Sequence, residues 1–351
     1  MYQFAAPFSQ RDITAMRFRR QWVLLKDKMP HDLQWQQRSV NDEYKLYCHN
    51  DCIVRSKKIS QGIIYLLGIA ISTAFPDKDP LELVTEYSHE SIVSWLHGIS
   101  GSYACIISNN NSIDIYTDPS ATMGIYYTQD VVASCPGLIP GLTRDKIIDE
   151  QYILGKVDDW YPGSLTPFTG VKALMANHRL QLNDCSVERF WPGTEFKTYE
   201  KDEGIAVISE LIKKTLYGAS KIGKLLVSLT GGRDSRINLG ATKDFREKVR
   251  YFTIKNDAVN PEDLRCAQLL ADEVSLNYSV VPSDYPEDWL LDLYDEIGMG
   301  MSVGTRRVII DAALAISGPD HIHVNGSQGA LFNGDYWPSV DPKKFNGMIL
   351  K

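Results

Sequence analysis

The sequence lacks the features of a nucleic-acid-binding protein. Its 351 residues have a formal net charge of −7, and no run of lysine and arginine is long enough to form a basic patch. The densest basic cluster, from Arg17 to Arg20, is typical of a solvated surface. We therefore expect no nucleic acid among its partners.

The sequence also lacks a membrane span, a secretion signal and a disulfide framework. The most apolar segment, residues 61–75, is too short to cross a bilayer and contains two glycines, so it predicts buried core. The first residues show no charged-then-apolar signal. Six cysteines are scattered along the chain, which predicts reduced thiols, a cytoplasmic location and no membrane partner.

One cysteine pair has the spacing of two zinc ligands. Cys48 and Cys52 are four residues apart, but no second pair of cysteine or histidine follows at a usual distance. A zinc site here is the weaker of two hypotheses, and ordinary buried thiols are the other.

The composition is that of a globular protein, with 44% hydrophobic and 23% charged residues. Its length predicts two domains. The first half alternates short strand-like runs with turn residues, and helical periodicity in residues 80–97 indicates a helix packed on a sheet. A polar segment at residues 196–204 predicts a linker. A helix follows, and then strand-like runs at residues 249–254, 278–281 and 321–324 alternate with helices, which predicts a parallel α/β sheet. One of these helices is predicted to start at Asn260, with Pro261 in its first turn.

The sequence KLLVSLTGGRDSR, residues 224–236, has the pattern of a phosphate-binding loop. An apolar run predicts a buried strand, the glycines predict a turn, and the next residues can form a helix. Free amides at a helix start, reached through a glycine turn, can bind phosphate. Thr230 and Ser235 add hydroxyl donors, whereas Asp234 suits this site only when a divalent cation joins it to phosphate. The loop lacks the ending of a Walker motif, and a plain tight turn remains the alternative.

The string SLTGGRDS resembles the SGGxDS pyrophosphate loop of the asparagine synthetase family and related ATP pyrophosphatases. Gly101 to Ala104 and Asp118 to Tyr127 resemble the patterns G-x-F-A and RDxxGxxPLYY of that family's glutaminase-like domain, with departures at Thr117, Ala121 and Gly124. Residues 166–174 and 189–191 resemble its next segments. The resemblance implies an α+β sandwich of the N-terminal-nucleophile type over residues 1–196. A doubly wound α/β PP-loop domain, similar to adenine nucleotide α-hydrolases, is implied over residues 203–351.

The resemblance continues towards the end of the chain. Residues 263–267 fit the family's D-x-x-x-A helix, and residues 325–336 resemble SGEGSDELFGGY. Ala330 and Leu331 stand where the family has an acidic pair, and Asp335 lies a few residues further on. Because the family normally continues with more helices, the PP-loop domain is expected to be C-terminally incomplete. The family's nucleophile is a cysteine exposed at the processed N-terminus, and this sequence begins Met1-Tyr2-Gln3 with no Cys, Ser or Thr there. No glutamine hydrolysis is therefore expected, as in β-lactam synthetases and lasso-peptide cyclases.

The implied function is ATP-dependent, AMP-forming amide ligation. A small-molecule or peptide carboxylate is adenylated, pyrophosphate leaves, and ammonia or a substrate amine captures the acyl-adenylate. The implied cofactors are ATP and Mg²⁺, with Asp234 as the metal ligand. A non-catalytic ATP-binding relic or scaffold is the alternative, favoured by the missing acidic pair. The implied contacts with pyrophosphate, nucleotide and substrate involve Ser228, Thr230, Gly231, Gly232, Ser235, Gly326, Arg306 and Arg307.

Overall fold

The computed structural model describes most of the chain. The described residues are 16–26, 29, 33–60, 62–84, 88–109, 112–148, 161–192, 197–255, 259–282, 288–301 and 320–326. They form two compact units, the first made of Met1–Gly223 and Pro282–Asp320 and the second of Lys224–Val281 and His321–Lys351.

The described strands up to residue 189 form antiparallel sheets, and the strands from residue 224 onward form a sheet with parallel pairings. The strands are β1 (Trp22–Leu25), β2 (Gln36–Ser39), β3 (Lys45–Cys48), β4 (Val54–Ile59), β5 (Gly62–Ser72), β6 (Ile99–Asn109), β7 (Ile113–Thr117), β8 (Tyr126–Tyr127), β9 (Val131–Ala133), β10 (Lys172–Ala173), β11 (His178–Gln181), β12 (Ser186–Arg189), β13 (Lys224–Ser228), β14 (Val249–Lys255), β15 (Tyr278–Pro282) and β16 (His321–Val324). The α-helices are α1 (His89–His97), α2 (Lys201–Ile222), α3 (Arg233–Ala241), α4 (Pro261–Glu273) and α5 (Asp288–Gly298). Short 3-10 helices occur at Pro80–Leu83, Pro136–Leu138 and Lys243–Lys248.

The first unit is built on two six-stranded sheets. Sheet A has the strand order β10-β8-β9-β1-β3-β2, and sheet B has the order β12-β11-β7-β6-β5-β4. The described pairings within both sheets are antiparallel. One core joins Trp22 and Leu24 of sheet A to Leu67, Ile106 and Ile115 of sheet B. The two sheets therefore pack face to face.

Side-chain alternation along the strands gives each sheet a second buried face. In β5, Tyr65 and Leu67 enter the core between the sheets, whereas Ile64 and Leu66 pack with Ile92 of α1 on the outer face. Helix α2 also contacts β5 and β6. On sheet A, the outer residues of β1 pack with residues of the α5 region. Because β5 is covered by sheet A on one face and by helices on the other, both sets of its alternating side chains are apolar, which explains the almost continuously apolar segment 61–75.

The second unit contains a four-stranded sheet with the order β15-β14-β13-β16. Strand β13 pairs in parallel with β14 and with β16. Helix α3 follows β13 and helix α4 follows β14. Helix α4 begins where the sequence predicts, because the Asn260 side chain accepts a hydrogen bond from the Glu262 amide and Pro261 occupies the first turn.

Two local predictions are wrong. Residues 80–97 do not form one helix: the 3-10 helix Pro80–Leu83 ends at an extended Val84, and α1 begins only at His89 after an N-cap serine, Ser88. The polar segment predicted as a linker up to Gly204 becomes helical at Lys201. Its acidic residues lie in the first turn of α2, where they interact favourably with the helix dipole.

The α+β sandwich and the parallel sheet are both confirmed as architecture. The assignment of the parallel sheet to a PP-loop domain, the domain limits at residues 196 and 203, and the incompleteness of that domain stay predictions. No helix in the described part of the chain is both long and apolar enough to cross a bilayer.

Candidate functional site

The glycine turn directly follows strand β13, so it lies at the carboxyl-terminal ends of the strands of the parallel sheet. Leu225, Leu226 and Val227 are almost completely buried, and Leu229 just beyond the strand has no exposed surface. The Leu229 amide donates to the Phe252 carbonyl at 2.8 Å, so the pairing with β14 extends past the end of β13. Ser228, the last residue of β13, lies opposite Phe252.

The turn after β13 is held by its own hydroxyl groups. The Thr230 amide donates to Ser235 Oγ at 3.0 Å, and the Gly232 amide donates to Thr230 Oγ1 at 3.1 Å. The two hydroxyls are 3.0 Å apart. Ser235 is only 6% exposed, and its hydroxyl also lies 3.2 Å from the Thr230 and Gly232 carbonyls. Both side chains therefore fix the shape of the turn.

Helix α3 begins directly behind this turn. Gly232 is its N-cap residue, with an extended conformation (φ −67°, ψ 154°) and no side-chain capping bond. The first amides of a helix have no intrahelical acceptor, and the helix dipole places partial positive charge there. The Arg236 side chain bonds back to the Gly232 carbonyl at 3.2 Å, which adds a cation to the same end of the helix.

Position 231 has no space for a side chain, because helix α4 lies against it. A Cβ atom at this position would lie 2.8 Å from Asp263 Oδ1 and 3.1 Å from Cys266 Cβ. The sequence explains Gly231 by close approach to an anion, and the structure adds a packing reason. It also places Asp263, predicted only as part of a helix start, beside the turn.

Gly326, just after β16, lies against the start of helix α3. A Cβ atom on Gly326 would be 3.0 Å from Asp234 Cβ and 3.1 Å from the Ser235 amide nitrogen. The Asn238 side-chain amide donates to the Asn325 carbonyl at 3.2 Å. Two glycine segments that are about a quarter of the chain apart in sequence therefore meet at one edge of the sheet.

The strand order creates a crevice at this edge. From β13 the chain moves to β14 and β15 on one side of the sheet, and β16 then pairs on the opposite side of β13. The strand order therefore reverses between β13 and β16, which defines a topological switch point. In open α/β sheets, ligands bind beyond the carboxyl ends of the strands at such a point. The turn 230–232 and Gly326 lie there.

Two carboxylates lie near the turn. Asp234 is half-buried in the first turn of α3 and has no hydrogen bond or ion pair within the described ranges. Asp263 Oδ1 lies against Gly231. No cluster of three or more His, Cys, Asp or Glu side chains suited to a metal occurs among the described residues. A carboxylate pair without a third protein ligand is compatible with Mg²⁺, which commonly completes its shell with water and phosphate oxygens.

Several predicted residues lie outside the described part of the chain. These are Arg306, Arg307, Ala330, Leu331 and Asp335. The geometry of the crevice therefore concerns the residues from 228 to 238, the start of α4 and the segment 325–326.

The two segments of the first unit that resemble the family patterns, residues 101–104 and 118–127, are joined through the buried carboxylate of Asp118. Asp118 has no exposed surface, and its carboxylate accepts hydrogen bonds from four backbone amides and the Thr122 hydroxyl. Nearby is a cavity of about 270 Å³. Two polar groups that line the cavity, the Thr117 hydroxyl and the Asn177 side-chain amide, each donate a hydrogen bond to a main-chain carbonyl. The cavity lining is Leu96, His97, Tyr103, Thr117, Pro119, Asn177, Phe190 and Trp191.

Comparison with known proteins does not identify the chain. No family model matches it, and no curated protein matches it. Among solved structures, a glutamine phosphoribosylpyrophosphate amidotransferase from B. subtilis, in complex with ADP and GMP, is similar over 75% of this chain and 67% of its own, with 14% identity and a TM-score of 0.31.

A second similar structure is described as the allosteric regulatory enzyme of purine biosynthesis. It covers 90% of this chain and 77% of its own, with 11% identity and a TM-score of 0.30. Identities and TM-scores this low assign neither a fold family nor a function to the chain.

Proposed function

We propose that the chain is an asparagine synthetase-like, ATP-dependent ligase. It adenylates a small-molecule or peptide carboxylate with release of pyrophosphate, and ammonia or a substrate amine then forms the amide. The observation that supports this proposal best is the position of the SLTGGRDS loop. It lies at the carboxyl end of a central parallel strand, at the switch point of the sheet, with Gly326 opposite.

The turn supports a role in binding the leaving pyrophosphate. The amides at the start of α3 have no side-chain cap, so they can donate to phosphate oxygens. The bonds between Thr230 and Ser235 fix the turn before the ligand binds. Ser228, Gly231 and Gly232 complete the predicted phosphate contacts. A preformed set of donors stabilises charge that develops on the leaving group without reorganisation during the reaction.

Asp234 is the proposed magnesium ligand. Its carboxylate is half-buried at the crevice, it has no partner within the described residues, and oxygen ligands suit this cation. Bound Mg²⁺ would supply positive charge to neutralise the polyphosphate. Asp234 would hold the cation, the helix start would orient the phosphates, and Gly326, packed against that helix start, would contact the nucleotide through its main chain. Arg306 or Arg307 is proposed to neutralise a phosphate or the substrate carboxylate.

A non-catalytic ATP-binding protein is the second candidate. It is favoured by Ala330 and Leu331, which replace the acidic pair of the family pattern and so remove carboxylates that could share the metal. The two candidates share the nucleotide site and differ only in turnover.

Exchange of labelled pyrophosphate into ATP tests the proposal. We expect exchange that depends on an added carboxylic acid and on Mg²⁺, and at least a hundredfold loss in Asp234→Asn. Asp244→Asn is the matched control, because Asp244 is an exposed residue of the 3-10 helix Lys243–Lys248. ATP binding without exchange for any acid would favour the non-catalytic candidate. An absence of ATP binding would contradict both.

A glycine pair tests the packing of the segment after β16 against the start of helix α3. Gly326→Ala places a methyl group 3.0 Å from Asp234 Cβ and should weaken ATP binding at least tenfold. Gly240→Ala is the control, because a Cβ there meets nothing within 4 Å. Equal affinities in the two variants would argue against a nucleotide at Gly326.

A further inference from the structure

The cavity of about 270 Å³ in the first unit takes no part in the proposed ligase chemistry. Three of its lining residues, Leu96, Tyr103 and Phe190, belong to the core that sheet B shares with helix α1. An apolar cavity of roughly 150 Å³ is large enough to bind benzene. This cavity therefore has space for a molecule with one aromatic ring and a substituent.

Hydrogen bonds of the main chain hold the walls of the cavity in place. The Phe190 amide donates to the Asn177 carbonyl at 3.0 Å, and the Asp118 amide donates to the Tyr103 carbonyl at 3.2 Å. The Phe190 ring packs edge-on against Tyr116, with the two ring centroids 5.4 Å apart. The cavity is therefore formed before a ligand arrives, which keeps the entropic cost of binding low.

The cavity is accessible from the solvent. Among its lining residues, Trp191 is 38% exposed, and the side chains of His97 and Pro119 are exposed as well. Tyr103 and Phe190, by contrast, are buried. A small molecule can therefore enter between the exposed residues and cover the apolar surface inside.

The hydroxyl group of Tyr103 lacks a partner inside the protein. Tyr103 is only 1% exposed, and in the described part of the chain its hydrogen bonds involve the main chain alone. Burial raises the pKa of the phenol, and the nearby Asp118 carboxylate acts in the same direction. A buried tyrosine hydroxyl usually has a hydrogen-bond partner. A molecule inside the cavity would supply the partner that Tyr103 lacks.

The other polar groups of the cavity favour an uncharged ligand. The Thr117 hydroxyl and the Asn177 side-chain amide already donate to main-chain carbonyls. No lysine, arginine, aspartate or glutamate is among the described residues that line the cavity. Because an ion that is buried without a counter-charge is costly, a neutral molecule fits this lining better than an anion or a cation.

We propose that this cavity binds a small, uncharged aromatic molecule that carries a hydroxyl group, a ligand of the phenol class. The ligand ring buries its apolar surface against Phe190 and Trp191, and the ligand hydroxyl forms a hydrogen bond with the Tyr103 hydroxyl. The site lies in the first unit and requires neither ATP nor a metal. It therefore goes beyond the proposed ligase activity and does not depend on it.

Calorimetric titration of the full-length protein with three matched probes tests the proposal. The probes are para-cresol, toluene, which lacks the hydroxyl, and para-toluate, which replaces it with a carboxylate. We expect one molecule of para-cresol to bind per chain, and para-toluate to bind about tenfold more weakly or not at all. If para-cresol does not bind, or if para-toluate binds as tightly, the proposal is overturned.

Tyr103→Phe keeps the ring and removes the hydroxyl. This variant should bind para-cresol about fivefold more weakly than wild type, whereas its affinity for toluene should not change. Tyr127→Phe is the matched control, because Tyr127 is 4% exposed and lines a different cavity, of about 310 Å³. A loss of para-cresol affinity in Tyr127→Phe and not in Tyr103→Phe would place the ligand in that other cavity and contradict the proposal.

Two further measurements do not depend on the hydroxyl of the ligand. Without ligand, Tyr103→Phe should unfold in urea at the same midpoint as wild type or a higher one, because it removes a buried hydroxyl that has no partner. A lower midpoint would mean that the protein itself satisfies the hydroxyl, which removes the basis of the proposal. Trp191→Ala, at the exposed side of the cavity, should weaken the binding of both para-cresol and toluene. Unchanged affinities in that variant would contradict binding at this site.

Discussion

At the scale of single residues, Asp118 is the polar group that the first unit depends on most. It is completely buried, and its two oxygens accept five hydrogen bonds. The donors are the Thr122 hydroxyl and the backbone amides of Tyr103, Ser120, Thr122 and Met123. A buried carboxylate with this many hydrogen bonds stabilises the turn that follows it, because it pairs backbone amides that the backbone–backbone hydrogen bonds of the turn do not use. The motif resemblance at Asp118 thus has a structural explanation that needs no substrate.

Asp118→Asn should destabilise the first unit by about 3 kcal/mol, because an amide nitrogen replaces one acceptor oxygen and leaves buried donors unpaired. Urea unfolding monitored by the buried tryptophan Trp22 measures this change. Asp130→Asn is the control, since the Asp130 side chain is 61% exposed and, among the described ion pairs, is paired with Lys26 alone. Similar unfolding midpoints for the two variants would show that the Asp118 network contributes little.

Asp114 gives the first unit a pH dependence. Burial raises the pKa of its carboxyl above the usual 3.8, opposed by Arg179 and by a hydrogen bond from Ser112. Its Oδ1 atom has no hydrogen-bond partner among the described residues. Because the folded pKa is the higher one, the contribution of Asp114 to stability is complete below the unfolded value and is lost as pH rises through the folded value.

Comparison of wild type with Asp114→Asn isolates that contribution. The wild-type free energy of unfolding, relative to the variant, should be greatest below pH 3.8 and should decline as the pH is raised towards neutrality. Urea titrations at a series of pH values measure the difference. A difference that stays constant, or that grows with pH, would mean that the folded pKa is not raised.

At the scale of secondary-structure elements, the long β5–β6 ladder depends on glycines where the strands approach closely. Gly101 has φ +118°, and a Cβ atom there would lie 2.1 Å from the Ile69 carbonyl oxygen. Gly68, in the facing strand, also has a positive φ of +86°. The chain bends at these positions while the pairing from Gly62 to Ser72 continues.

Gly101→Ala should therefore cost roughly 3 to 5 kcal/mol, from backbone strain together with displacement of β5. Gly170→Ala is the matched control: its φ is +74° but its Cβ would meet nothing within 4 Å, so only strain of about 1 kcal/mol is expected. Thermal unfolding of both variants gives the comparison. Equal losses would show that close contact across the ladder adds nothing to the strain.

Apolar patterns in the sequence predicted some secondary-structure elements correctly and others wrongly. The apolar runs at β13, β14 and β16 predicted strands correctly, since buried strands need continuous or alternating apolar residues. The helix predicted across residues 80–97 was wrong because its periodic apolar residues are shared by a 3-10 helix and by α1, which both pack on sheet B. Periodicity records the buried face and not the break between two short helices.

At the scale of the whole molecule, the nucleotide proposal predicts ligand-dependent stability. A ligand that binds only the folded protein stabilises it by about 2.7 kcal/mol at a hundred times its Kd. ATP with Mg²⁺ should therefore raise the unfolding temperature of wild type and of Asp244→Asn. The rise should be much smaller for Asp234→Asn, or for wild type in EDTA. A rise that is independent of Asp234 and of the metal would place ATP binding elsewhere.

By itself the sequence determined the two kinds of sheet, the strand that leads to the SLTGGRDS loop and the N-cap of α4. These depend on apolar patterns and local hydrogen bonds within a few residues. It could not determine that Asp263 lies beside Gly231, that Gly326 meets Asp234, or that the Cys48 and Cys52 thiols are both buried in the core between the two sheets.

Those contacts were decided by the tertiary structure. The return of β16 to the open side of β13 brings together segments that are distant in the chain, and the packing of sheet A on sheet B encloses the thiols. The choice of neighbours in a sheet depends on how all the strands bury their apolar faces together, and no local stretch of sequence specifies it.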